Sequence, residues 1–415
     1  MTVAPISDAA DELFARLFLT GDAVDDPYPD YEALRALGRV HRLSGGTLVV
    51  TGYSDCAAVL RDPRFGNDME AVGRAKGGVS WREHASLLML SQMMLMAEPP
   101  RHGLLHHRVG SEFTPARIRA VEPTIARAAS ALFAGLCERG GGDFISSYAD
   151  VLPLSTIHTV LGIPESYRLE LRRQTLTFNA LFERGLTTAQ IAAADEAVDE
   201  ITAYLTDLIA YRRGRPGDDL VSALAAAVDG GALEARELVP LLFQVYNASY
   251  QTTMSLLGNS LRQLLLHPAE TARLRADPTL LSSACDELAR IDPPVQSTGR
   301  HVLVDFTLDG IPLRTGEMVV TIVAAANRDP SRYHQPRRLD VARGGPAGLS
   351  YGYGPHYCLG AALAASQLRA TLNLIAATGL DIEANGPASR MPGANMRGFT
   401  SLPIAIHRRA GRVHR

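Results

Sequence analysis

Several features that mark whole classes of protein are scarce in this sequence of 415 residues. It has only four cysteines (Cys56, Cys137, Cys285 and Cys358), which lie far apart and form no CxxC pair. That spacing argues against a disulfide scaffold and against a zinc site, and it is typical of a reducing cytoplasm. The net charge is only −3, so the overall balance favours neither nucleic acid nor a membrane surface as a partner.

Long apolar runs and targeting features are missing as well. No stretch reaches the roughly 20 apolar residues that a membrane-spanning helix needs. The opening MTVAPISDAADELFARLF has neither the basic start nor the apolar run of a secretion signal. We therefore predict a cytoplasmic monomer without membrane or nucleic-acid partners. Residues 1–20 are expected to form a flexible arm, and the basic residues 408–415 a flexible tail.

The composition that remains is globular and the dominant pattern is helical. Hydrophobic residues make up 46% of the chain and charged residues 20%, enough for a large core. Helical periodicity predicts helices over 28–37, 54–62, 101–110, 116–138, 165–182, 188–213, 238–266, 269–276, 280–291 and 359–378. Strands are predicted within 39–43, 47–52, 301–306, 318–322 and 380–409. Without repeats or linkers, this indicates a mainly α fold with small β-sheets in a single large domain, residues 1–415.

The most informative stretch is Tyr351-Gly-Tyr-Gly-Pro-His-Tyr-Cys-Leu-Gly360, which places Cys358 on a glycine-rich loop before an apolar helix. Gly352 and Gly354 permit tight turns close to a flat ligand. The start of the helix directs its free N–H groups and positive dipole end at the sulfur, which favours the thiolate. Two interpretations are open at this point: a buried free cysteine, or a thiolate that binds haem iron.

Together with this loop, three other segments resemble signatures of the cytochrome P450 family, in the family's order. They are Pro99-Pro-Arg-His102 with Phe113-Thr-Pro115, Glu287-Leu-Ala-Arg290, and Ala326-Asn-Arg-Asp-Pro330 followed by Leu339-Asp-Val-Ala-Arg343. The segments Asp26-Pro-Tyr-Pro-Asp-Tyr31 and Arg397-Gly-Phe-Thr-Ser-Leu-Pro403 are similar to soluble bacterial, actinomycete-like members. A Glu-x-x-Arg pair alone is common, whereas four signatures in order are highly specific.

The resemblance implies the cytochrome P450 fold over the whole chain and haem b as the cofactor. It implies that Cys358 is the proximal ligand of the haem iron, with Gly352, His356 and Gly360 of the same loop in contact with the cofactor. It also implies an oxidoreductase that uses dioxygen and receives electrons from a ferredoxin and a ferredoxin reductase. Because no such module is fused to the chain, these electron donors are expected to be separate proteins.

The resemblance further implies that His102 and Arg300 donate hydrogen bonds to the haem propionates, whose negative charge they offset. The family commonly has an arginine four residues after this histidine, where the present sequence has His106. We expect His106 or His107 to replace that arginine, with a weaker and pH-dependent interaction.

Glu287 and Arg290 lie three residues apart on one helix face, so their side chains can pair. In the family a third residue, here Arg343, completes this pair. We predict that the three form a network that stabilises the fold and takes no part in the chemistry.

The segment Leu241–Ser255 resembles the family's oxygen-binding helix, whose usual pattern is Ala-Gly-x-acid-Thr-Thr. Aligned on the threonines, Ser249 replaces the glycine and Gln251 replaces the acid, while Ala248 and Thr252 are kept. In the family the threonine hydroxyl hydrogen-bonds dioxygen, and the acid supplies protons for cleavage of the O–O bond. A carboxamide orders water but does not exchange protons near neutral pH. The catalytic candidates are therefore Thr252, Gln251 and Ser249.

This substitution leaves several reactions open. In an ordinary hydroxylase, water or another residue relays the protons, and family frequency favours this interpretation. Alternatively, the enzyme ends its reaction in radical coupling, ring closure or desaturation of the substrate without inserting oxygen. A peroxide-driven enzyme is a further alternative. A non-catalytic haem carrier is another, although a carrier has no need of Thr252.

Substrate contacts in the family come from several separate segments. The segment from Met89 to Met96 is rich in methionine, which adapts to irregular apolar shapes, although core packing is the alternative for any one of these side chains. Amide and hydroxyl groups among apolar residues favour a neutral, aromatic or amide-rich small molecule of natural-product biosynthesis. The candidate contacts are Met89, Met93, Asn247, Ala248, Val295, Gln296, Met396 and Phe399.

Overall fold

The structure is a computed structural model that describes residues 3–4, 8–23, 25–70, 72, 80–164, 168–183, 187–308 and 310–408. Its α-helices are α1 (Asp8–Phe18), α2 (Tyr28–Leu37), α3 (Tyr53–Arg61), α4 (Ala85–Gln92), α5 (Arg101–Gly110), α6 (Pro115–Glu138), α7 (Val151–Leu161), α8 (Arg168–Asn179), α9 (Thr188–Gly214), α10 (Leu220–Asp229), α11 (Ala235–Leu266), α12 (Pro268–Ala276), α13 (Leu281–Ile291), α14 (Val323–Ala326) and α15 (Ala361–Ala377). The mainly α fold with small sheets is thus confirmed.

The strands are short and lie mostly near the two ends of the chain. They are β1 (Val3–Ala4), β2 (Val40–Arg42), β3 (Leu48–Val50), β4 (Phe65–Gly66), β5 (Gly141–Asp143), β6 (Thr298–Val302), β7 (Phe306–Leu308), β8 (Ile311–Leu313), β9 (Met318–Thr321), β10 (Leu380–Ala384), β11 (Ser389–Arg390), β12 (Phe399–Ser401) and β13 (Pro403–Arg408). The largest sheet has six strands in the order β1-β2-β3-β9-β6-β4, and a second has three in the order β10-β13-β5. The strands β7 and β8 pair with each other, as do β11 and β12.

The N-terminal arm differs from its prediction. Residues 8–18 form α1, and Ala10, Phe14, Leu17 and Phe18 are buried on one face of it. That i, i+4, i+7, i+8 spacing is the stripe of a helix packed on a core, so the flexible arm predicted for residues 1–20 is wrong over this range. At the other end, Arg408 belongs to β13, and residues 409–415 lie outside the described residues.

The long helix α11 lies at the centre of the fold and contacts α4, α7, α9, α10, α12, α13 and α15. Its start is fixed by a capping box in which Glu234 and Glu237 bond each other's backbone N–H groups. Most of its side chains are buried around the whole circumference, as expected of a helix enclosed by others. Ala248, near its middle, is an exposed exception. None of the described helices is both long and apolar enough to cross a membrane.

Candidate active site

The loop that carries Cys358 has the tight geometry that its glycines predict. Gly352 and Gly354 adopt φ of 74° and 73°, which L-residues with a side chain rarely adopt. A Cβ on Gly354 would lie 2.6 Å from the carbonyl oxygen of Leu60, so the loop packs directly against the end of α3. The loop is closed by the Cys358 N–H, which donates to the Tyr351 carbonyl over 2.8 Å.

The sulfur of Cys358 lies at the start of α15. Of the four cysteines, Cys358 alone is exposed, whereas Cys56 and Cys285 are buried. Protein nevertheless surrounds the sulfur closely enough that burial raises the pKa of the Cys358 thiol, an effect opposed by the backbone N–H groups of Gly360 and Ala361. The predicted helix-start effect is therefore present but smaller than that of burial. A cation in contact with the sulfur would oppose the effect of burial and favour the thiolate.

Four basic side chains gather beside this loop. The rings of His102 and His356 lie 4.2 Å apart, and those of His102 and His106 lie 5.6 Å apart. Burial, then Arg300 and the two other histidines, lowers the pKa of His356 to about 3. Burial also lowers the pKa of Arg300, while the charge of Glu98 acts in the opposite direction.

This cluster has the chemistry of a site for a dianion. Arg300 is 6% exposed, and within the described residues it bonds only to Thr298 and to its neighbour's carbonyl, with no carboxylate in contact. Burial lowers the pKa of His102, His356 and Arg300, and neighbouring positive charges lower it further for the two histidines. A bound anion would oppose both effects. The two propionates of haem b, next to a cysteine two residues from His356, fit these residues. His106 is half-buried beside His102, whereas His107 is exposed, so His106 is better placed to replace the usual arginine.

The Glu287 carboxylate is the centre of a buried network on α13. It accepts hydrogen bonds from Arg290 Nε (2.6 Å), Arg290 Nη2 (2.9 Å), Arg343 Nε (3.0 Å) and the Asp340 N–H (3.0 Å). Arg290 Nη1 also donates to the carbonyls of Asn327 (2.7 Å) and Pro336 (3.0 Å). The side chains of Glu287 and Arg290 are each only 1% exposed. The structure therefore brings together the three predicted partners and ties them to the chain between α14 and the cysteine loop.

The candidate catalytic hydroxyls bond to their own helix. Thr252 Oγ1 donates to the Ala248 carbonyl over 2.6 Å, and Ser249 Oγ donates to the Val245 carbonyl over 2.7 Å. Such bonds to the residue four earlier are common for hydroxyl side chains within helices. Thr252 is half-exposed and lies one turn beyond the exposed Ala248, so this face of α11 is accessible. Each hydroxyl oxygen keeps lone pairs that can accept from water or from a ligand.

Gln251 occupies the position of the family's acid, and its carboxamide is held by protein at both ends. Its Oε1 accepts from Asn179 Nδ2 at the end of α8 over 2.5 Å, and its Nε2 lies 3.9 Å from Met391 Sδ. Gln251 is 8% exposed. In the described part of the chain no carboxylate bonds to Ser249, Gln251 or Thr252, so a proton relay through a neighbouring acid is not built here.

The adjacent Tyr250 faces away from the accessible side of α11. Its hydroxyl donates to the carboxylate of Asp150, which also accepts from Arg172 Nε at 3.0 and 3.1 Å. Burial and the charge of Asp150 raise the pKa of Tyr250 far above its usual value. This buried trio joins α11 to α7 and α8, so it positions the distal helix without contacting the accessible face.

The predicted substrate contacts divide into two groups. Met89, Met93, Gln296 and Phe399 are buried and pack the protein itself, so the structure does not bring them to an accessible surface. The amide of Gln296, for example, accepts from the Tyr31 hydroxyl and donates to the Pro293 carbonyl. The second group retains accessible atoms or unused hydrogen-bonding groups and consists of Asn247, Ala248, Val295 and Met396.

Three members of the second group have distinctive settings. Asn247 is 7% exposed, and its side chain makes no hydrogen bond within the described residues. Val295 and Met396 are half-buried and face each other in an isolated β-bridge. The sequence did not indicate Glu183 or Met391, which contact the surroundings of this site from more than a hundred residues away.

The comparisons with known proteins agree with this arrangement. The family model described as Cytochrome P450 matches residues 173–376. The curated relative "Cytochrome P450 monooxygenase PikC" of Streptomyces venezuelae is 35% identical over 405 residues, which cover 93% of this chain and 92% of that protein.

Solved structures share the fold over nearly the whole chain. "Crystal Structure of CalO2" has a TM-score of 0.87 and 31% identity, and covers 94% of this chain and 98% of that one. "The cytochrome P450 enzyme CxnD for C-S bond formation in chuangxinmycin biosynthesis" has a TM-score of 0.82 and 27% identity, and covers 92% and 95%. Proteins of this family are oxidoreductases that bind haem b through a cysteine thiolate.

Proposed function

The chain belongs to the cytochrome P450 family of monooxygenases, whose bacterial members act in natural-product biosynthesis, and we propose that it oxidises a neutral, aromatic or amide-rich small molecule of that kind. Dioxygen is the oxidant, and a separate ferredoxin with its reductase delivers the electrons. Hydroxylation is the favoured outcome, because the relatives include a named monooxygenase. A cytoplasmic monomer remains the expected form.

One observation carries this proposal: the exposed Cys358 lies next to a cluster of basic side chains that is suited to bind an anion. Cys358 is the candidate ligand of the haem iron, with Gly360 N–H directed at the sulfur. His102, Arg300 and His356, together with His106, are the candidate partners of the propionates. The candidate metal ligand thus shares a loop with His356. The other charge partners lie on α5 and, for Arg300, on β6, and the ring of His102 lies 4.2 Å from that of His356.

The haem, when bound, supplies the redox chemistry that activates dioxygen. The chain's own contribution on the distal side is made by Thr252 and Ser249, whose oxygens accept hydrogen bonds and hold water in the site. The exposed Ala248 gives room for a substrate beside them. Asn247 offers a buried amide without a hydrogen-bond partner among the described residues, so a carbonyl or hydroxyl group of the substrate would satisfy it at low cost.

A second outcome, bond formation within the substrate without oxygen insertion, is favoured by the setting of Gln251. Its carboxamide does not titrate, and both of its ends are held by Asn179 and Met391. Protons must then arrive through water alone, which slows the protonation on which oxygen insertion depends. This change in the proton supply is the observation that favours an altered outcome, in which a substrate radical, once formed, couples or closes a ring. The related CxnD structure is named for such a bond-forming reaction.

The test begins with a search for a ligand. Purified holoenzyme is titrated with a natural-product library, and compounds that shift the haem absorbance are kept. Each one is then incubated with ferredoxin, its reductase, a nicotinamide donor and isotope-labelled dioxygen. We expect turnover that needs all of these components and a product that carries one labelled oxygen atom.

The alternatives give different results in the same assay. Radical coupling or ring closure yields a product that has lost hydrogen and carries no label. Turnover with peroxide that equals turnover with the electron donors would identify a peroxide-driven enzyme. Binding without turnover under either condition would contradict the proposed activity.

A further inference from the structure

Glu183 makes an unusual set of contacts just after α8. Its carboxylate accepts the backbone N–H groups of Ala394 (3.0 Å), Asn395 (3.1 Å) and Met396 (3.2 Å). These three residues belong to the connection between β11 and β12, which we call the 391–398 loop. Gly393 of this loop is packed so tightly against the carboxylate that a Cβ there would lie 2.2 Å from Glu183 Oε1.

The same loop also contacts two buried side chains in the middle of α11. Met391 Sδ lies 3.9 Å from Gln251 Nε2 and 3.7 Å from Ser255 Oγ. Asn179, four residues before Glu183, bonds to the other end of the Gln251 amide. The end of α8, the 391–398 loop and the middle of α11 thus form a closed ring of contacts. We call residues 179–183 and 391–398 the roof, because they cover α11 at Gln251, the residue before Thr252.

The contacts of the ring differ in strength. Bonds from N–H groups to a carboxylate are about twice as strong as bonds between neutral groups. The amide pair of Asn179 and Gln251 is neutral, and the contacts of Met391 are long and involve a weak acceptor. Glu183, with three backbone N–H groups on one carboxylate, therefore contributes most to keeping the roof in place.

The loop held by Glu183 also supports the strand that carries Arg300. Asn395 Oδ1 accepts from Ser297 Oγ over 2.7 Å, and the Asn395 carbonyl accepts from the Gln296 N–H over 2.9 Å. Both partners lie just before β6. A movement of the 391–398 loop would therefore displace the start of β6, which carries Arg300, as well as the roof.

We propose that Glu183 is a positioning residue that keeps the roof closed over the reaction site, and so sets the rate at which bulky ligands enter and leave. The inference rests on the proposed function, because it assumes that the haem lies beneath this face of α11. A bulky molecule can reach that position only when a covering segment moves, whereas a diatomic gas needs no such movement. Changes at Glu183 should therefore alter the binding rates of bulky ligands and leave those of diatomic gases unchanged.

The experiment uses haem-loaded enzyme in which Glu183→Gln removes the negative charge at nearly constant shape. Stopped-flow absorbance measures the binding and release of phenylimidazole, a bulky haem ligand, and the binding of carbon monoxide to the reduced enzyme. We expect both phenylimidazole rate constants to rise about tenfold, which corresponds to about 1.4 kcal/mol. Their ratio and the carbon monoxide rate should stay unchanged. Hydrogen exchange of the 391–398 loop should accelerate in parallel.

Two further variants make the test specific. Gly393→Ala pushes on the carboxylate from the other side without removing it and should produce the same acceleration. Glu138→Gln changes an exposed glutamate at the end of α6, outside the roof, and should leave the phenylimidazole and carbon monoxide rate constants unchanged. If Glu183→Gln does not retain haem, the phenylimidazole kinetics of Gly393→Ala still test the proposal.

Three outcomes would overturn the proposal. Unchanged phenylimidazole kinetics in both roof variants would show that Glu183 does not control entry. An equal acceleration of carbon monoxide binding would indicate a general loosening of the haem site. A change in the release rate alone would mean that Glu183 touches the ligand directly. If the wild-type protein binds no haem at all, the proposed function fails instead, and this is visible before any variant is made.

Discussion

Removal of the Glu287 carboxylate is expected to be among the most damaging single changes in this chain. In Glu287→Ala, Arg290 loses two hydrogen bonds and Arg343 loses one, while Arg290 remains almost entirely buried. The carbonyls of Asn327 and Pro336 still accept from Arg290, but they carry no compensating charge. A buried guanidinium is thereby left without its counter-charge.

The size of the effect follows from that burial. Breaking a buried ion pair by removal of one partner costs about 3–5 kcal/mol, whereas exposed pairs contribute about 0–1 kcal/mol. Because folded proteins are stable by about 5–15 kcal/mol, the loss is about a fifth or more of the total. We expect Glu287→Ala to be largely insoluble or to lose its haem, because the network lies behind the cysteine loop.

The assay compares urea unfolding, followed by circular dichroism, with the ratio of haem to protein absorbance. Asp229→Ala is the matched control, since Asp229 pairs with Arg213 at the surface and both side chains are about half exposed. The control should unfold within about 1 kcal/mol of the wild type. A soluble, haem-replete Glu287→Ala protein with a wild-type unfolding midpoint would refute the structural role of the network.

Three further predictions concern single side chains. If protonation limits the reaction, Gln251→Glu should raise turnover or shift products towards hydroxylated species, and Thr252→Ala should increase peroxide release. If Gln251→Glu leaves the turnover rate, the fraction of electrons used for product and the product ratio unchanged, Gln251 is neutral variation. Burial would raise the pKa of the Asp292 carboxyl, but neighbouring arginines hold it below its usual value, so wild-type stability should fall below about pH 4 more steeply than that of Asp292→Asn in acid unfolding. His106→Arg should slow the transfer of haem to apomyoglobin and His107→Arg should not, and equal effects would contradict the assignment of His106.

Several helices with one buried face were predictable. The bounds of α2 and α5 agree with the sequence pattern, and those of α9 and α12 agree within one residue. The pattern failed for α7, because VLPLSTIHTVL is apolar on every side and contains Pro153, so it shows no stripe. It failed for α1 because a terminal segment with two acidic residues in its first turn looks flexible in isolation.

The candidate site was predictable where residues lie in compact motifs. The Cys358 loop, the Glu287–Arg290 pair and Thr252 could be recognised because short segments resemble the family's motifs, and the structure gives each a consistent setting. The bond between Glu183 and the 391–398 loop joins residues 211–213 positions apart and leaves no local signal. The burial of Met93, likewise, depends on neighbours that the spacing of methionines cannot reveal.

The most direct test of the account is the absorbance of the reduced protein with carbon monoxide. The wild type should show the red-shifted band of a haem that is bound by a thiolate, because Cys358 is the candidate ligand. Cys285→Ala should keep that band, since the thiol of Cys285 is buried on α13. Cys358→Ala should lose it. Retention of the band in Cys358→Ala, or its absence from haem-loaded wild type, would contradict the central claim.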